Sequence, residues 1–116
     1  MNLIVAGGRK FTDRALVIST LNLIERRSGM KLIIVSGCAN GADSFGEFWA
    51  KQYSRKIIPF PANWDKYGND AGHIRNMDMA MYAEALLAFW DGVSTGTKDM
   101  INQAIDNNLY VKVIRY

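Results

Sequence analysis

Five short apolar runs punctuate this chain: "LIVA" (3–6), "LIIV" (32–35), "KIIPF" (56–60), "LLAFW" (86–90) and "YVKVI" (110–114). The first, second and fourth are apolar at consecutive positions, the pattern of strands covered on both faces. Segments with helical spacing separate them. Val17, Leu21 and Ile24 recur at i, i+4 and i+7, and the stripe stops at Ser28-Gly29, where glycine suits a left-handed C-cap. Phe45, Phe48, Trp49, Gln52 and Tyr53 form a second stripe. Ile74, Met77 and Met81 form a third, and Met100, Ile101, Ala104 and Ile105 a fourth that ends at Asn107-Asn108. Strand and helix alternating four times predict right-handed crossovers and an α/β fold, a parallel sheet with helices on both sides.

At 116 residues the chain supports one core, so 1–116 reads as a single domain. Its apolar fraction of 49% and charged fraction of 22% are those of a globular protein, not a disordered one. No apolar run approaches the ~20 residues of a membrane span, and no basic leader precedes "MNLIVAGG", so neither membrane nor signal peptide is expected. The single cysteine, Cys38, fits a reducing cytoplasm. A net charge of +3, with Arg9, Lys10 and Arg14 near one loop and Lys51, Arg55 and Lys56 near another, suits a small anionic ligand better than a nucleic-acid track.

The connections are lopsided. Helix-to-strand passages are short ("SGM", "SR", "AE", "NNL"). Strand-to-helix passages are long, polar and glycine-bearing: "GGRKFTD" (7–13), "SGCANGAD" (36–43), "PANWDKYGNDAGHIRN" (61–76) and "DGVSTGT" (91–97). In a parallel sheet all four leave at the carboxyl ends of the strands, the edge where open α/β sheets bind ligands.

In "GGRKFTD", Gly7 and Gly8 let backbone approach a ligand, and Arg9 offers a forked cation for phosphate or carboxylate. A plain turn with Thr12 or Asp13 capping the next helix explains the same residues. "SGCANGAD" lacks the P-loop lysine and the G-x-G-x-x-G spacing. A glycine turn opening a helix still presents unpaired N–H groups and the positive dipole end to an anion, which makes Ser36, Gly37, Asn40, Gly41 and Ala42 candidate ligand contacts. Asp43, in the first helical turn, either steadies the dipole by about 0.3–1 kcal/mol or accepts a ribose hydroxyl. The dipole role is the simpler. Cys38, with no histidine near it in sequence, reads as a turn residue and not a nucleophile.

"DGVSTGTKDM" repeats the logic with Asp91, Gly92, Ser94, Gly96 and Thr97. In 61–76, Trp64 and Tyr67 either stack on a base or pack over the core edge. Arg75, starting a helix beside Asn76, is a second candidate phosphate clamp, against the alternative of a solvated arginine. His73 is the only histidine; with no His or Cys partner nearby it reads as a loop residue, and no metal is expected. Met77, Met79, Met81 and Met100 read as core filler.

Together "GGRKFTD", "VSGCANGAD", "FPANWDKYGNDAGHIRNMDM" and "FWDGVSTGTKDMI", spanning residue 4 to about 105, resemble the SLOG superfamily. That superfamily joins the Smf/DprA DNA-processing proteins to the LOG (lysine-decarboxylase-like) phosphoribohydrolases, and the resemblance is closer to its small YspA-like, cpYpsA-related branch. It implies a three-layer Rossmann-like fold with a five-stranded, mostly parallel sheet in the order 3-2-1-4-5. It also implies a nucleotide or nucleotide-derived ligand, ADP-ribose-like or a cyclic or NAD-derived relative. LOG-type hydrolases carry P-G-G-x-G-T-x-x-E with a catalytic glutamate, and an arginine at a preceding helix start. Arg75 occupies the arginine position and would be catalytic in an enzyme, but Met100 stands at the glutamate and Val93-Ser94 replace the paired glycines. Methionine transfers no proton, and Asp99 is expected to face about 100° away on its helix.

The resulting expectation is a cytoplasmic binder of a small nucleotide-like molecule, acting as sensor or sequestering protein, with no cofactor. A single-domain binder of this size suits a phage-encoded protein. The alternatives are a LOG-like N-glycoside hydrolase or other nucleotide-processing enzyme using Asp43, Asp91 or Asp99, and single-stranded DNA binding as in Smf/DprA. The last ranks lowest because the charge is mild. A homo-oligomer, dimer or tetramer, stays open, with Trp49, Trp90 and Tyr116 as candidate interface residues.

Overall fold

The computed structural model describes all 116 residues. Strands β1 (Asn2–Gly7), β2 (Ile33–Ser36), β3 (Ile57–Pro59), β4 (Ala85–Trp90) and β5 (Tyr110–Arg115) form one sheet in the order β3-β2-β1-β4-β5. Every pairing is parallel. The helices are α1 (Arg14–Ser28), α2 (Ala42–Gln52), α3 (Trp64–Tyr67), α4 (Ala71–Tyr82) and α5 (Thr95–Asp106), with a 3-10 turn at Gly68–Asp70 before α4. The α/β Rossmann-like architecture and the 3-2-1-4-5 order agree with expectation; the sheet is wholly parallel.

Two cores explain the unbroken apolar runs. Leu3 and Val5 of β1 and Leu87 and Phe89 of β4 face Val17, Leu21 and Trp49 of α1 and α2. Their neighbours Ile4, Ala6, Leu86 and Ala88 face Met79, Met100, Ile101 and Ala104 of α4 and α5. A central strand covered on both sides has no position left for a polar residue. Pro59, which cannot donate to a ladder, lies in the edge strand β3.

Local chemistry fixes the ends of α1. Asp13, not Thr12, caps it, accepting from the Leu16 N–H at 3.0 Å. Gly29 closes it at φ 68°.

Three expectations need correction. First, α4 starts at Ala71, so Arg75 lies in its second turn and segment 61–76 is mostly helical. Second, Met79 and Met100 are core residues, but Met77 and Met81 are 40% and 73% exposed. Contact with α5 and the sheet turns Ala71, Asn76, Met79 and Ala80 inward, which sets a helix phase different from the methionine stripe. Third, Trp49 is fully buried with its indole N–H bonded to Asn22 Oδ1 at 2.8 Å, which removes it as an interface residue. The Trp90 indole donates to the Ser94 carbonyl at 3.0 Å beneath the Arg115 guanidinium.

Helix α2 sits close on β1 because residue 46 is glycine: a Cβ there would lie 2.9 Å from Val5 Cβ. Gly46→Ala gains up to ~1 kcal/mol of helix propensity but overpacks a buried strand, at a cost of about 1–3 kcal/mol. We expect a net loss of stability, read as a lower urea midpoint with unchanged m-value.

Candidate functional site

Helices α1 and α2 cover one face of the sheet and α4 and α5 the other, so the chain reverses its winding between β1 and β4. The connections leaving these two strands diverge there, and a cleft of about 770 Å³ opens at the carboxyl edge.

The turn after β1 contributes Gly7, Gly8, Arg9 and Lys10. A Cβ on Gly7 would lie 2.7 Å from the Phe89 carbonyl oxygen and 2.8 Å from Ala42 Cβ. A side chain on Gly8 would run into the Tyr116 hydroxyl. These glycines let the strand end, α2 and the C-terminal tyrosine meet. Arg9 and Lys10 are exposed, and neither belongs to the chain's two ion pairs, Glu25–Arg55 and His73–Asp99.

The turn after β2 behaves differently from the anion cradle its glycines suggest. Only Ala39 and Asp43 of this turn line the cleft. Ser36 is buried, donating to Glu47 at 2.7 Å and accepting from the Cys38 N–H at 3.1 Å. Gly41, at φ 78° and ψ −129°, packs against the Gly8 carbonyl, and Ala42 is in the core. Asn40 is exposed away from the cleft. Gly37 accepts a hydrogen bond from Arg75 Nη1 through its carbonyl; a Cβ there would lie 2.7 Å from that nitrogen and 2.9 Å from Asp43 Oδ2. Gly37 thus brackets Arg75, Gly41 and Ala42 pack on the β1 turn, and Ser36 and Asn40 lie outside the cleft. Cys38 takes φ 63°, a turn residue whose thiol burial pushes up.

The third wall comes from α3 and α4. Asn63 caps α3 by accepting from the Lys66 N–H at 3.1 Å, and this single turn carries Trp64, 52% exposed, over the cleft mouth. Its ring passes Gly72, where a Cβ would be 3.6 Å away. Tyr67 does not reach the cleft. From α4 come His73, Arg75 and Asn76. Arg75 Nε donates to Asn76 Oδ1 at 3.0 Å, and buried Asn76 donates to Asp99 Oδ2 at 2.9 Å. His73 Nδ1 is 2.8 Å from Asp99 Oδ1.

The fourth wall is the β4–α5 connection. Asp91 Oδ1 accepts from the Val93 and Ser94 N–H groups, 2.8 Å each, which holds its carboxyl below the usual range. Ser94 caps α5, and its hydroxyl donates to Thr97 at 3.2 Å. Asp91, Ser94, Thr95, Gly96 and Thr97 line the cleft; Gly92, at φ 87°, instead meets the Arg115 guanidinium.

Thus Gly7, Gly8, Arg9, Asp43, Trp64, Arg75, Asn76, Asp91, Ser94, Gly96 and Thr97 share one cleft. Sequence reasoning left Lys10, Asn69 and His73 out of the site, named Asp99 only as the acid of an alternative enzyme, and took Tyr116 for an interface residue. Lys10 was signalled by its place beside Arg9. Asp99 and His73 were misplaced: the cleft floor wraps α5 on its α4 side, so Asp99 and Met100 both touch it, and His73 stands on α4, not in a loop.

Asp43 is 5% exposed, and burial pushes its carboxyl up to about 7 against the opposing pull of the Ala39 N–H and Arg75. A carboxyl raised in the folded state stabilises the protein fully at acid pH, and that contribution is lost as pH climbs through about 7. At about 1.4 kcal/mol per pH unit crossed, the loss between pH 4 and 7 is on the order of 4 kcal/mol. We expect Asp43→Asn to flatten this stretch of the stability–pH curve, measured by denaturant titration at each pH.

No helix is long and apolar enough to cross a membrane. The family described as YspA, cpYpsA-related SLOG family (YAcAr) matches residues 1–67. The Gene 61 protein of Mycobacterium phage D29 is 34% identical over 107 residues, covering 87% of this chain and 86% of that protein. Among solved structures, DNA processing protein A (DprA) from Streptococcus pneumoniae superposes with a TM-score of 0.74 at 17% identity over 99% of this chain. The match occupies half of the DprA chain, so this protein spans about half that neighbour's length.

Proposed function

The chain belongs to the YspA, cpYpsA-related SLOG family, whose membership and fold support a nucleotide-related function, and we propose that its cleft binds a phosphorylated nucleoside of the ADP-ribose class. The carrying observation is convergence: the unpaired Arg9 and Lys10 and the capped N-terminus of α5 share one concavity. Phosphates would lie between the cations and the α5 N–H groups, with the base over Trp64. A cleft of about 770 Å³ is in the size range of small-molecule sites. Such a protein acts as a sensor or a sequestering protein, and the phage relative favours a phage-encoded role. The lone Cys38 favours a reducing, cytoplasmic setting.

A second reading has a specific observation behind it. The solved neighbour is named for DNA processing, so the low ranking of nucleic acid gains no support from the comparisons. Binding to single-stranded DNA would weaken steeply with salt.

Thermal unfolding with ADP-ribose or AMP is expected to show stabilisation. Arg9→Ala should weaken the affinity by about ten- to a hundredfold, as for loss of a hydrogen bond to a charged group. An oligonucleotide that stabilises the protein where neither nucleotide does, with a steep salt response, would favour the second reading.

A further inference from the structure

Three carboxylates reach the cleft, and their surroundings assign them different roles. Asp43 is buried behind the Arg75 bracket, and both N–H bonds to Asp91 shape a loop. Asp99 alone is paired with a titratable side chain, His73, at 2.8 Å. Its second oxygen is held by Asn76 at 2.9 Å, so the carboxylate is fixed at both ends. An Nδ1–H given to Asp99 leaves Nε2 of His73 as the free, basic nitrogen of a ring that is half exposed at the cleft.

The sign of the surrounding charge selects the chemistry. Arg9 and Lys10 are unpaired in the same cleft, and Arg75 is linked to Asp99 through Asn76. Cations stabilise the negative charge that builds on phosphoryl oxygens. They oppose the positive charge that builds on a ribose ring as an N-glycosidic bond breaks. Two free cations also match a ligand with two linked phosphates better than one with a single phosphate.

From this, and resting on the ligand-binding reading above, we propose that the cleft hydrolyses the phosphoanhydride bond of a diphosphate-bridged nucleotide, with His73 as general base and Asp99 as its positioning residue. Water oxygen bonds to one phosphorus while the bridging P–O bond breaks, and that electron pair stays on the departing phosphate. The water proton passes to His73 Nε2 and then to the departing group or to solvent. For ADP-ribose the products are AMP and ribose 5-phosphate.

The test uses the full chain with ADP-ribose, following binding by thermal shift and products by chromatography. Release of AMP and ribose 5-phosphate is expected. His73→Ala and His73→Gln should lose at least about a hundredfold in kcat while ADP-ribose still raises Tm. His73 is half exposed, so both variants should fold. Asp99→Asn should lower kcat with the KM for ADP-ribose unchanged, because an amide no longer holds the His73 ring in the tautomer that leaves Nε2 free; a purely structural role would lower Tm and raise KM as well. ADP-ribose bound but returned intact overturns the hydrolysis and leaves the binding reading standing. Release of adenine in place of AMP, or a fully active His73→Ala, also overturns it. Absence of any stabilisation by ADP-ribose or AMP removes the binding reading and the hydrolysis together.

Discussion

Strands β1 and β4 run side by side at the centre of the sheet, with Gly7 opposite Phe89 and Ala6 opposite Ala88. The connection from β1 passes to one face and that from β4 to the other, so nothing packs directly over the gap between their ends. The end of β1 is small, Ala6 followed by Gly7 and Gly8. Ala6 faces α4 and α5, where a larger side chain would fill the floor against Met79 and Met100. Further down the same strands, Ile4 and Leu86 fill that space and close the core. The cleft thus opens where side-chain size falls off along β1, from Ile4 to Ala6 and Gly7, just where its connection parts from that of β4.

The glycines bring backbone together at this edge. Gly41 lies against the Gly8 carbonyl, and Gly7 lets β1 approach both Phe89 and Ala42, so the turns after β1 and β2 pack as one layer. Gly37 then offers that layer's carbonyl to Arg75, tying it to α4. From Arg75 the links continue through Asn76 to Asp99 and His73, joining α4 to α5 across the floor. "SGCANGAD" resembles a ligand cradle because close backbone approach to a phosphate and close approach to another backbone both require glycine. Sequence alone does not separate the two. Its partners do, and they are Gly8, Arg9 and Arg75, each far away in the chain.

Legibility follows the range of the interactions. The strands and α1 were readable because an unbroken apolar run, an Asp cap and a terminal glycine act locally. The shared edge was readable because parallel connectivity alone places every strand-to-helix turn there. The phase of α4 was not. It depends on which face meets α5, and the helix carries methionines on both faces, so Met77 and Met81 counted as core until packing put Asn76 and Met79 inside. The His73–Asp99 pair was hidden for the same reason, since 26 residues separate the two and only the α4–α5 contact joins them. Asp91 lines the cleft and also ties its own loop, through the turn formed after Gly92.

The electrostatic balance of the cleft follows from those same contacts. Counted by residue type, Asp43, Asp91 and Asp99 would cancel Arg9, Lys10 and Arg75. The structure does not let them cancel. Burial raises the Asp43 carboxyl to about 7, so near neutrality much of it carries no charge. Two backbone N–H groups hold Asp91 ionised and turned into its own loop, and an amide and an imidazole engage both oxygens of Asp99. Arg9 and Lys10 have no such partners, and Arg75 keeps the Nη2 edge of its guanidinium outside the hydrogen bonds to Gly37 and Asn76. With Asp43 partly protonated, the three cations of the cleft outnumber its ionised carboxylates, and they stand opposite the N-terminus of α5. That balance of charge is what the proposed anionic ligand requires, and it constrains the charge of such a guest more tightly than its shape.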